Sequence, residues 1–191
     1  MNSSLTLNAL KLTQANFEQI VRANPEWNFE QTALGELVVV PLTGGTSGKK
    51  NRSLTGQLDA WVEANWELGE GFDSSTMFQL PNKAKRSPDA AWVQRVRWDA
   101  LTQQQQDGYP PLCPDFVVEL RSPSDSLEEL QAKMREYMDN GARLGWLINP
   151  QARQVEIYRQ GQRVEVLQAP LALSGEDVLP GFVLSLQRIF A

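Results

Sequence analysis

The chain has 191 residues, of which 41% are hydrophobic and 21% charged, and its formal net charge is −5. This composition is typical of one globular domain with its own core. Histidine is absent and Cys113 is the only cysteine, which excludes Ser-His-Asp and Cys-His catalysis, histidine zinc sites, cysteine clusters and internal disulfides. The acidic balance argues against broad coating of nucleic acid but leaves room for a local basic groove.

The chain carries no targeting or membrane signal that we recognise. Its first residues, Met1-Asn2-Ser3-Ser4-Leu5, lack a basic region followed by an apolar run, so we expect no signal peptide. No apolar stretch approaches the length of a membrane span. We therefore expect a cytoplasmic protein with no membrane contact.

In chain order, the first half predicts a helix, a hairpin around Leu34-Gly35, a flexible Gly/Ser/Thr-rich loop and a second helix. These elements cover residues 13–24, 27–33 with 36–42, 43–50, and 51–68. The second helix is indicated by an apolar stripe that includes Leu54, Leu58 and Val62. Strands are then expected over residues 75–80 and 89–97, followed by a polar helix or turn over residues 99–106.

The second half predicts a strand, a long helix and a further strand over residues 115–121, 126–141 and 144–149. Ser126 with Glu129 forms a capping box, and Gly141 ends the helix. A hairpin (residues 154–159 and 163–168) and an apolar tail (residues 178–190) follow. No repeat or linker is visible, so residues 1–191 are expected to form one α/β domain, with a right-handed parallel crossover over residues 115–149.

Acidic residues lie in two of the strands that are expected to be buried. Asp89 opens one and Glu119 lies within the other, and a buried carboxylate is costly unless it is paired, protonated or bound to a metal. Alternation places Glu119 and Arg121 on one face, about 7 Å apart, so a Glu–Arg salt bridge is the plain alternative to a catalytic site. Lys133 lies at the edge of the apolar helix face beside Tyr137, where it either snorkels or reaches the acids.

Together these residues resemble a known family. Asp89 and Glu119 are thirty positions apart, and Glu119 is followed at the second position by a basic residue. The surrounding sequence contains six segments in a characteristic order. These are Phe29-Glu30, Leu34-Gly35-Glu36-Leu37-Val38-Val39, Ser87-Pro88-Asp89, Pro114 to Glu119 followed by Ser122-Pro123-Ser124, Lys133 with Tyr137, and Gly141 before Leu144 to Pro150. From about residue 13 to 190, the chain resembles the Uma family of endonuclease-like proteins, a domain of unknown function in the restriction-endonuclease-like PD-(D/E)XK superfamily.

The resemblance implies a mixed β-sheet flanked by helices and a site for Mg²⁺ or Mn²⁺ held by Asp89 and Glu119. It implies that Glu30 is an additional acid of the site and that Lys133 replaces or assists the lysine expected at position 121. Arg121 departs from that pattern; it cannot act as a base, but it could stabilise transition-state charge. Family members often carry a histidine near the start of the helix that is predicted here over residues 51–68, where this chain has Asn51.

Cationic residues concentrate in two stretches. Lys49, Lys50 and Arg52 surround the Gly-rich loop, and Lys83, Lys85 and Arg86 precede Asp89; both groups are expected to border the cleft and to contact nucleic acid. A solvated strand edge is the alternative for any single member. The loop at Gly44 to Lys50 is one residue shorter than a P-loop and has lysine where Ser or Thr should stand, so a flexible basic loop is favoured over a nucleotide site. The six tryptophans mostly fall on apolar faces and are interpreted as core.

The leading hypothesis is a metal-dependent endonuclease that hydrolyses phosphodiester bonds of nucleic acid, with DNA favoured as the partner. The alternative is a non-catalytic module of the same fold that binds nucleic acid or a protein. The departure at Arg121 and the net charge favour the module, whereas the Asp–Glu–Lys set favours the enzyme. A homodimer would suit cleavage of both strands of a duplex.

Overall fold

Three sheets and five helices make up the described part of the chain, which in this computed structural model is residues 5–191 without the side chains of residues 8 and 9. The helices are α1 (Gln14–Ala23), α2 (Gly45–Ala64), α3 (Arg95–Asp99), α4 (Gln103–Asp107) and α5 (Leu127–Asp139). The strands are β1 (Leu5–Lys11), β2 (Asn28–Gln31), β3 (Glu36–Val40), β4 (Gly69–Asp73), β5 (Phe78–Gln79), β6 (Lys85–Arg86), β7 (Ala90–Gln94), β8 (Phe116–Leu120), β9 (Leu144–Asn149), β10 (Gln154–Arg159), β11 (Glu165–Gln168), β12 (Ala172–Ser174) and β13 (Val183–Ser185). The signal-peptide expectation concerns residues 1–5, of which 1–4 lie outside this range.

The central sheet has six strands in the order β11-β10-β9-β8-β7-β4. Strands β8 and β9 are parallel, as the crossover over residues 115–149 predicts, and the other pairs in this sheet are antiparallel. Both faces are buried: Phe116, Val118 and Leu120 join the core formed with α2 and the C-terminal segment, while Val117 joins the core under α5. Alternation along β8 therefore places Glu119 on the α5 side.

Helix α5 packs unusually close to the sheet. Ser126 Oγ accepts a hydrogen bond from the Glu129 N–H at the helix start, and Met134 and Tyr137 are fully buried. A Cβ on Gly145 of β9 would lie 2.5 Å from Met134 Cε, so any larger residue there would require the flexible ends of the α5 methionines to shift. Gly141 ends the helix at φ 105°. This packing sets the height at which Lys133 stands over the sheet.

A five-stranded sheet in the order β1-β3-β2-β6-β5 covers the other side of the site. The hairpin of β2 and β3 around Gly35 (φ 87°) is confirmed. One face packs on α1 through Phe17, Phe29 and Leu37. Alternation turns Glu30 and Val38 to the opposite face, which is open to a cleft.

The structure corrects several expected boundaries. The prediction of a flexible loop over residues 43–50 is wrong, because α2 begins at Gly45. Packing of Leu54, Leu58 and Val62 outweighs the poor helix propensity of the first turn of α2. The strand expected over residues 89–97 ends at Gln94 and continues as α3, and the strand expected over residues 75–80 is reduced to β5.

Other elements match the expectations more closely. The tail packs on the core through Val178, Leu179, Leu184 and Ile189, as predicted. The sequence did not predict five of the strands, namely β1, β4, β6, β12 and β13. These strands have a weak sequence pattern, because they are short, are rich in glycine or polar residues, or lie before the first periodic segment. No helix in residues 5–191 combines the length and apolarity that crossing a membrane requires.

Candidate active site

A cleft of about 1340 Å³ opens between the five-stranded sheet and the edge of the central sheet. Glu30 enters it from β2, Asp89 from the residue before β7, Glu119 from β8 and Lys133 from α5. Four of the five residues that the sequence analysis assigned to catalysis therefore line one space, although they come from four separate elements.

Asp89 and Glu119 face each other across two antiparallel strands. The register pairs Ala90 with Val118, and one further step places Asp89 opposite Glu119 with both side chains on the same face. Asp89 Oδ2 accepts the Leu120 N–H at 2.7 Å, which fixes the side chain at the strand end. Opposed residues have Cβ atoms roughly 4.5–5.5 Å apart, so sharing of one cation by the two carboxylates stays a prediction that this register supports.

Lys133 connects the helix to both sheets. Its Nζ lies 2.8 Å from Glu119 Oε1 and 2.8 Å from Glu30 Oε1, and 3.5 Å from the Ser87 carbonyl oxygen. Burial alone would lower the pKa of Lys133, but Glu119 and Glu30 outweigh burial and raise it above its usual range. The ammonium is therefore held protonated, so Lys133 can donate hydrogen bonds and charge but cannot accept a proton as a base. Its orientation follows the expected edge position, while its part in catalysis stays a prediction.

Glu30 anchors this lysine and has no spare oxygen in the contacts described. Its Oε1 accepts from Lys133 Nζ and from the Ser87 N–H at 2.9 Å, and its Oε2 lies 3.1 Å from Arg86 NH1. Burial raises the pKa of Glu30, yet Lys133, Arg86 and these hydrogen bonds together bring it below its usual value. Glu30 is therefore an ionised anchor for Lys133, and its expected contact with a metal through water stays a prediction.

Tyr137 is a site residue to which sequence reasoning gave no role. It is 0% exposed, and its hydroxyl donates to Glu119 Oε1 at 3.0 Å. Burial raises the pKa of Tyr137 well above its usual value, and Glu119 adds to the rise. The available signal was its spacing of four residues from Lys133, which places both side chains on one helix face.

The two facing carboxyl groups share an unusual electrostatic environment. Burial raises the pKa of Asp89 to about 6 against the opposing effects of the Leu120 N–H and Lys133. Burial also raises the pKa of Glu119 to about 7; Lys133 opposes this rise, and the Asp89 and Glu30 carboxylates add to it. Glu30, beside the same lysine, differs because Arg86 provides a second cation. One lysine thus does not balance Asp89 and Glu119 at neutral pH.

The residues present fit a hard divalent cation. The cleft lining has six acidic and two basic side chains, namely Glu30, Asp89, Glu119, Asp125, Glu129 and Glu136 against Arg86 and Lys133. The hydrogen bonds of the described residues use Oδ2 of Asp89 and Oε1 of Glu119 and leave the other oxygen of each carboxylate for a ligand. No cluster of three or more Asp, Glu, Cys or His side chains suited to a metal occurs in the described range. Mg²⁺ is commonly bound by only one or two carboxylates plus water and substrate phosphate, so two suffice.

Arg121 is not brought into this group. Its Nε donates to the Asp125 carbonyl oxygen at 3.1 Å, and its NH1 contacts Asn149 Oδ1 at 3.4 Å. The described residues include no ion pair between Glu119 and Arg121, because Lys133 takes the place that the salt-bridge alternative gave to the arginine. Arg121 stabilises the loop after β8, and its expected support of the transition state has no contact behind it.

The cationic group before Asp89 is mostly turned away from the cleft. Lys85 is 2% exposed, donates to Gln31 Oε1 at 2.9 Å and lies 4.9 Å above the Phe17 ring, so it is not placed to contact phosphate. Arg86 lines the cleft but pairs with Glu30 and, at 2.6 Å, with Glu136. Lys83 is exposed in the turn between β5 and β6 at φ 74° and does not line the cleft.

The group near the start of α2 lies beside the cleft rather than in it. Lys49 and Arg52 line a separate cavity of about 1010 Å³, and Lys50 lines neither space. The cleft is bordered instead by the uncapped first turn of α2 at Gly44, Gly45, Thr46 and Ser47. Of the six cations only Arg86 lines the cleft itself, while Lys49 and Arg52 line the neighbouring cavity. Contact of either group with nucleic acid stays a prediction.

Asn51, where the family resemblance led us to expect histidine, also lines the cleft. Its Nδ2 donates weakly to Ser74 Oγ at 3.4 Å, and its Oδ1 is buried without a hydrogen-bond partner among the described residues. An amide here cannot transfer protons, but its unpaired oxygen can accept a hydrogen bond from water or a ligand.

Two tryptophans depart from the core interpretation. Trp92 and Trp146 are buried and Trp61 and Trp98 partly buried, as expected, but Trp27 is 53% and Trp66 is 66% exposed. Trp27 lines the cleft and Trp66 does not.

Comparisons with known proteins agree with this architecture. The model of the Uma2 family, described as "Putative restriction endonuclease", matches residues 15–187. A crystal structure titled as a putative nuclease belonging to DUF820 from Anabaena variabilis ATCC 29413 superposes with a TM-score of 0.77. The two chains are 19% identical, and the match covers 94% of this chain and 97% of the other. The restriction-endonuclease-like fold is thereby confirmed. No curated protein matches the sequence.

Proposed function

Because the chain belongs to the Uma2 family, we propose that it is an endonuclease that hydrolyses phosphodiester bonds of nucleic acid with Mg²⁺ or Mn²⁺ held by Asp89 and Glu119. The observation that carries the proposal is that Asp89, which is partly buried, and Glu119, which is buried, line one cleft whose lining has four more acidic than basic side chains, on strands whose register brings the two carboxyl groups opposite each other. The negative charge of this cleft repels a polyanion unless bound cations first offset the charge of the carboxylates. The family implies such a cation.

The residues of the cleft have distinct parts in this proposal. A bound divalent cation supplies Lewis acidity that activates water and offsets charge on the scissile phosphate. Lys133, fixed between Glu30 and Glu119, presents a permanently charged ammonium to the same space and stabilises developing negative charge. Tyr137 holds Oε1 of Glu119 and so directs Oε2 to the cleft. Arg86 and Glu136 complete the ion network that keeps Glu30 in place.

Backbone groups supply the remaining attraction for a phosphate chain. Helix α2 starts at the cleft with Gly44 as N-cap and no side-chain cap, so its first amide N–H groups stay available. Helix N-termini favour phosphate, and Ser122, Ser124 and Ser126 add hydroxyl groups along the same cleft. These neutral donors let a protein of net charge −5 bind a polyanion locally. DNA is the favoured substrate in our proposal, and a homodimer would place two sites on a duplex.

The experiment combines metal binding with cleavage. Calorimetric titration of Mg²⁺ and Mn²⁺ on wild type, Asp89→Asn and Glu119→Gln should show binding that either variant abolishes. Cleavage of single- and double-stranded DNA and RNA should disappear in the same variants. Glu156→Gln is the matched control, because Glu156 is also a buried acid of the central sheet but bonds Gln131 and Tyr158 outside the cleft.

A specific observation keeps the non-catalytic module as the second candidate. The two carboxylates beside Lys133 already occupy its ammonium at 2.8 Å each, which is also what a purely structural ion network would look like. Nucleic-acid or protein binding that survives Asp89→Asn, with no metal-dependent cleavage of any substrate, would select the module and reject the endonuclease.

A further inference from the structure

An exposed apolar patch shares the cleft with the acidic site. Of the large apolar side chains that are exposed in the described range, Trp27 (53%) and Leu42 (81%) line this cleft, together with Pro25 and Pro41. Single exposed apolar residues are common and need no explanation, but a half-exposed tryptophan beside a leucine inside a site cleft is costly to leave in water.

The patch is held in place by its surroundings. The Trp27 N–H donates to the Asn24 carbonyl oxygen at 3.1 Å, and the Asn24 side chain bonds the Ile20 carbonyl oxygen at 2.8 Å, so the turn between α1 and β2 is closed. Trp27 lies in the bend immediately before β2 and Pro41 immediately follows β3, so neither is bound by the strand alternation that turns Phe29 toward α1, and both line the cleft. Proline fixes its own backbone φ, so Pro25 and Pro41 stiffen both sides of the support. A tryptophan on such a support is already positioned to bind a ligand.

The patch lies at a short, fixed distance from the acids. Trp27 precedes Glu30 by three residues, a separation of about 10 Å along an extended chain, and Glu30 contacts Lys133 within the ion network. A nucleic-acid strand covers that distance in about three nucleotides at a rise near 3.4 Å. A strand with a phosphate beside this ion network therefore brings a base about three nucleotides away to Trp27.

We propose that Trp27, supported by Leu42, is a stacking site for an unpaired nucleobase, so that the substrate of the proposed endonuclease is a nucleic acid with a single-stranded stretch near the cleavage position. The inference rests on the proposed function for its ligand class. Internal bases of a duplex have both faces covered by neighbours, so only an unpaired or terminal base can stack on an indole. The same cleft supplies amide and hydroxyl donors for the phosphates on either side of that base.

The test measures binding of short phosphorothioate-linked oligonucleotides with Mg²⁺ present, so that the metal offsets the charge of the acidic cleft while the modified linkages resist cleavage. Wild type, Trp27→Ala, Trp27→Phe and Trp66→Ala are titrated with fluorescein-labelled dT12 and U12 and with an abasic 12-mer of equal phosphate charge, and intrinsic tryptophan fluorescence is followed with unlabelled strands. Trp66 is the matched control, being exposed outside the cleft. We expect Trp27→Ala to lose roughly 5- to 150-fold in affinity for the base-bearing strands. Trp27→Phe should recover part of that loss, and Trp66→Ala should bind like wild type.

Binding of the abasic strand should not change in Trp27→Ala. The quenching of Trp27 fluorescence by dT12 or U12 should vanish in Trp27→Ala and Trp27→Phe, which both lack this indole, and persist in Trp66→Ala. A preference for dT12 or U12 would distinguish DNA from RNA as the source of the base. Equal affinity of wild type and Trp27→Ala for base-bearing strands would overturn the stacking site. A change confined to self-association, measured by sedimentation velocity, would assign the patch to a second copy of the chain and also overturn it.

Metal-dependent cleavage by the same proteins separates this inference from the proposed function. Cleavage that continues with unchanged affinity in Trp27→Ala rejects the stacking site and leaves the endonuclease standing. Base-dependent binding through Trp27 without cleavage supports the stacking site and rejects the endonuclease. Absence of any oligonucleotide binding rejects both.

Discussion

Tyr137 donates a hydrogen bond from a fully buried hydroxyl to Oε1 of Glu119 at 3.0 Å. The bond joins α5 to β8 at the point where Lys133 Nζ contacts the same oxygen. One oxygen of Glu119 is thus held by two donors from one helix face, and the other is directed to the cleft. Residues that hydrogen-bond a metal-binding side chain in this way commonly have a large effect on metal affinity.

Replacement of Tyr137 by phenylalanine should therefore weaken metal binding while the fold is kept. We expect a loss of about 1.5–3 kcal/mol in the free energy of unfolding, because the hydrogen bond is made to a charged group, and a roughly 10- to 100-fold loss of Mg²⁺ or Mn²⁺ affinity. Urea denaturation and calorimetry measure the two effects separately.

Tyr158→Phe is the matched control for this prediction. Its buried hydroxyl donates to Glu156 Oε2 at 2.6 Å outside the cleft, so stability should fall by a similar amount with metal affinity unchanged. Equal metal affinities in Tyr137→Phe and wild type would show that Tyr137 acts in folding alone.

The part of the fold that could be predicted is the part with strong periodicity. The strands at residues 144–149 and 154–159 and the helix α5 match because apolar period, caps and glycine agree there. The grouping of Asp89, Glu119, Lys133 and Glu30 came from the family resemblance rather than from periodicity, and all four residues line one cleft.

What sequence reasoning missed depends on tertiary packing. A helix beginning at Gly45 is indistinguishable from a Gly-rich loop until the core under Leu54 and Leu58 is known. Lys85 has the sequence features of a surface cation but is buried, because β6 lies inside a sheet and pairs it with Gln31 on one side and Gln79 on the other. Neither Tyr137 nor Trp27 carries a local signal that says which side of the core it faces.

Removal of the Lys133 charge should be strongly destabilising. Lys133→Met keeps much of the side-chain volume but leaves Glu30 and Glu119 without their shared cation, and breaking such a buried pair typically costs about 3–5 kcal/mol. Urea denaturation near pH 8 should reveal the loss, and any cleavage should disappear. Lys83→Met, at an exposed turn position, should leave stability within about 0.5 kcal/mol of wild type.

A second substitution separates charge from packing at Lys133. Adding Glu119→Gln to Lys133→Met removes one uncompensated carboxylate, so the double variant should be more stable than Lys133→Met alone at pH 8. A double variant that is as unstable as the sum of two independent losses would show that volume, not charge, is the function of the lysine.

The exposed cations near the start of α2 should determine the salt dependence of nucleic-acid binding. Lys49 and Arg52 are both exposed, and they line the cavity that adjoins the cleft at residues 51 and 52. Lys49→Ala with Arg52→Ala should reduce the slope of log affinity against log salt by roughly one unit per lost phosphate contact. Anisotropy titrations between 50 and 200 mM salt measure the slope. Arg163→Ala, exposed at the β10–β11 turn, is the control, and slopes equal to wild type in the double variant would place the phosphate path elsewhere.

Stability of the metal-free protein should fall as pH rises from 5 to 8. The pKa of Asp89 in the folded protein is about 6 against 3.8 ordinarily, so the unfolded chain releases this proton at lower pH than the folded one. The stabilisation present below the ordinary pKa is then lost as pH passes through the raised pKa. The total loss is about 3 kcal/mol for a shift of about two units, and about 1.4 kcal/mol of it falls above pH 5. Glu119, with a pKa of about 7, acts in the same direction. Glu30 acts oppositely only at lower pH, because its pKa is depressed.

Thermal melts in EDTA at pH 5 and pH 8 should show this fall in stability, with a smaller fall in Asp89→Asn. Mg²⁺ should raise the melting temperature of wild type at pH 8. It should not raise the melting temperature of wild type at pH 5 or that of Asp89→Asn at either pH. A wild-type melting temperature that is flat or rising over this range in EDTA would contradict a carboxyl pair left unbalanced by burial.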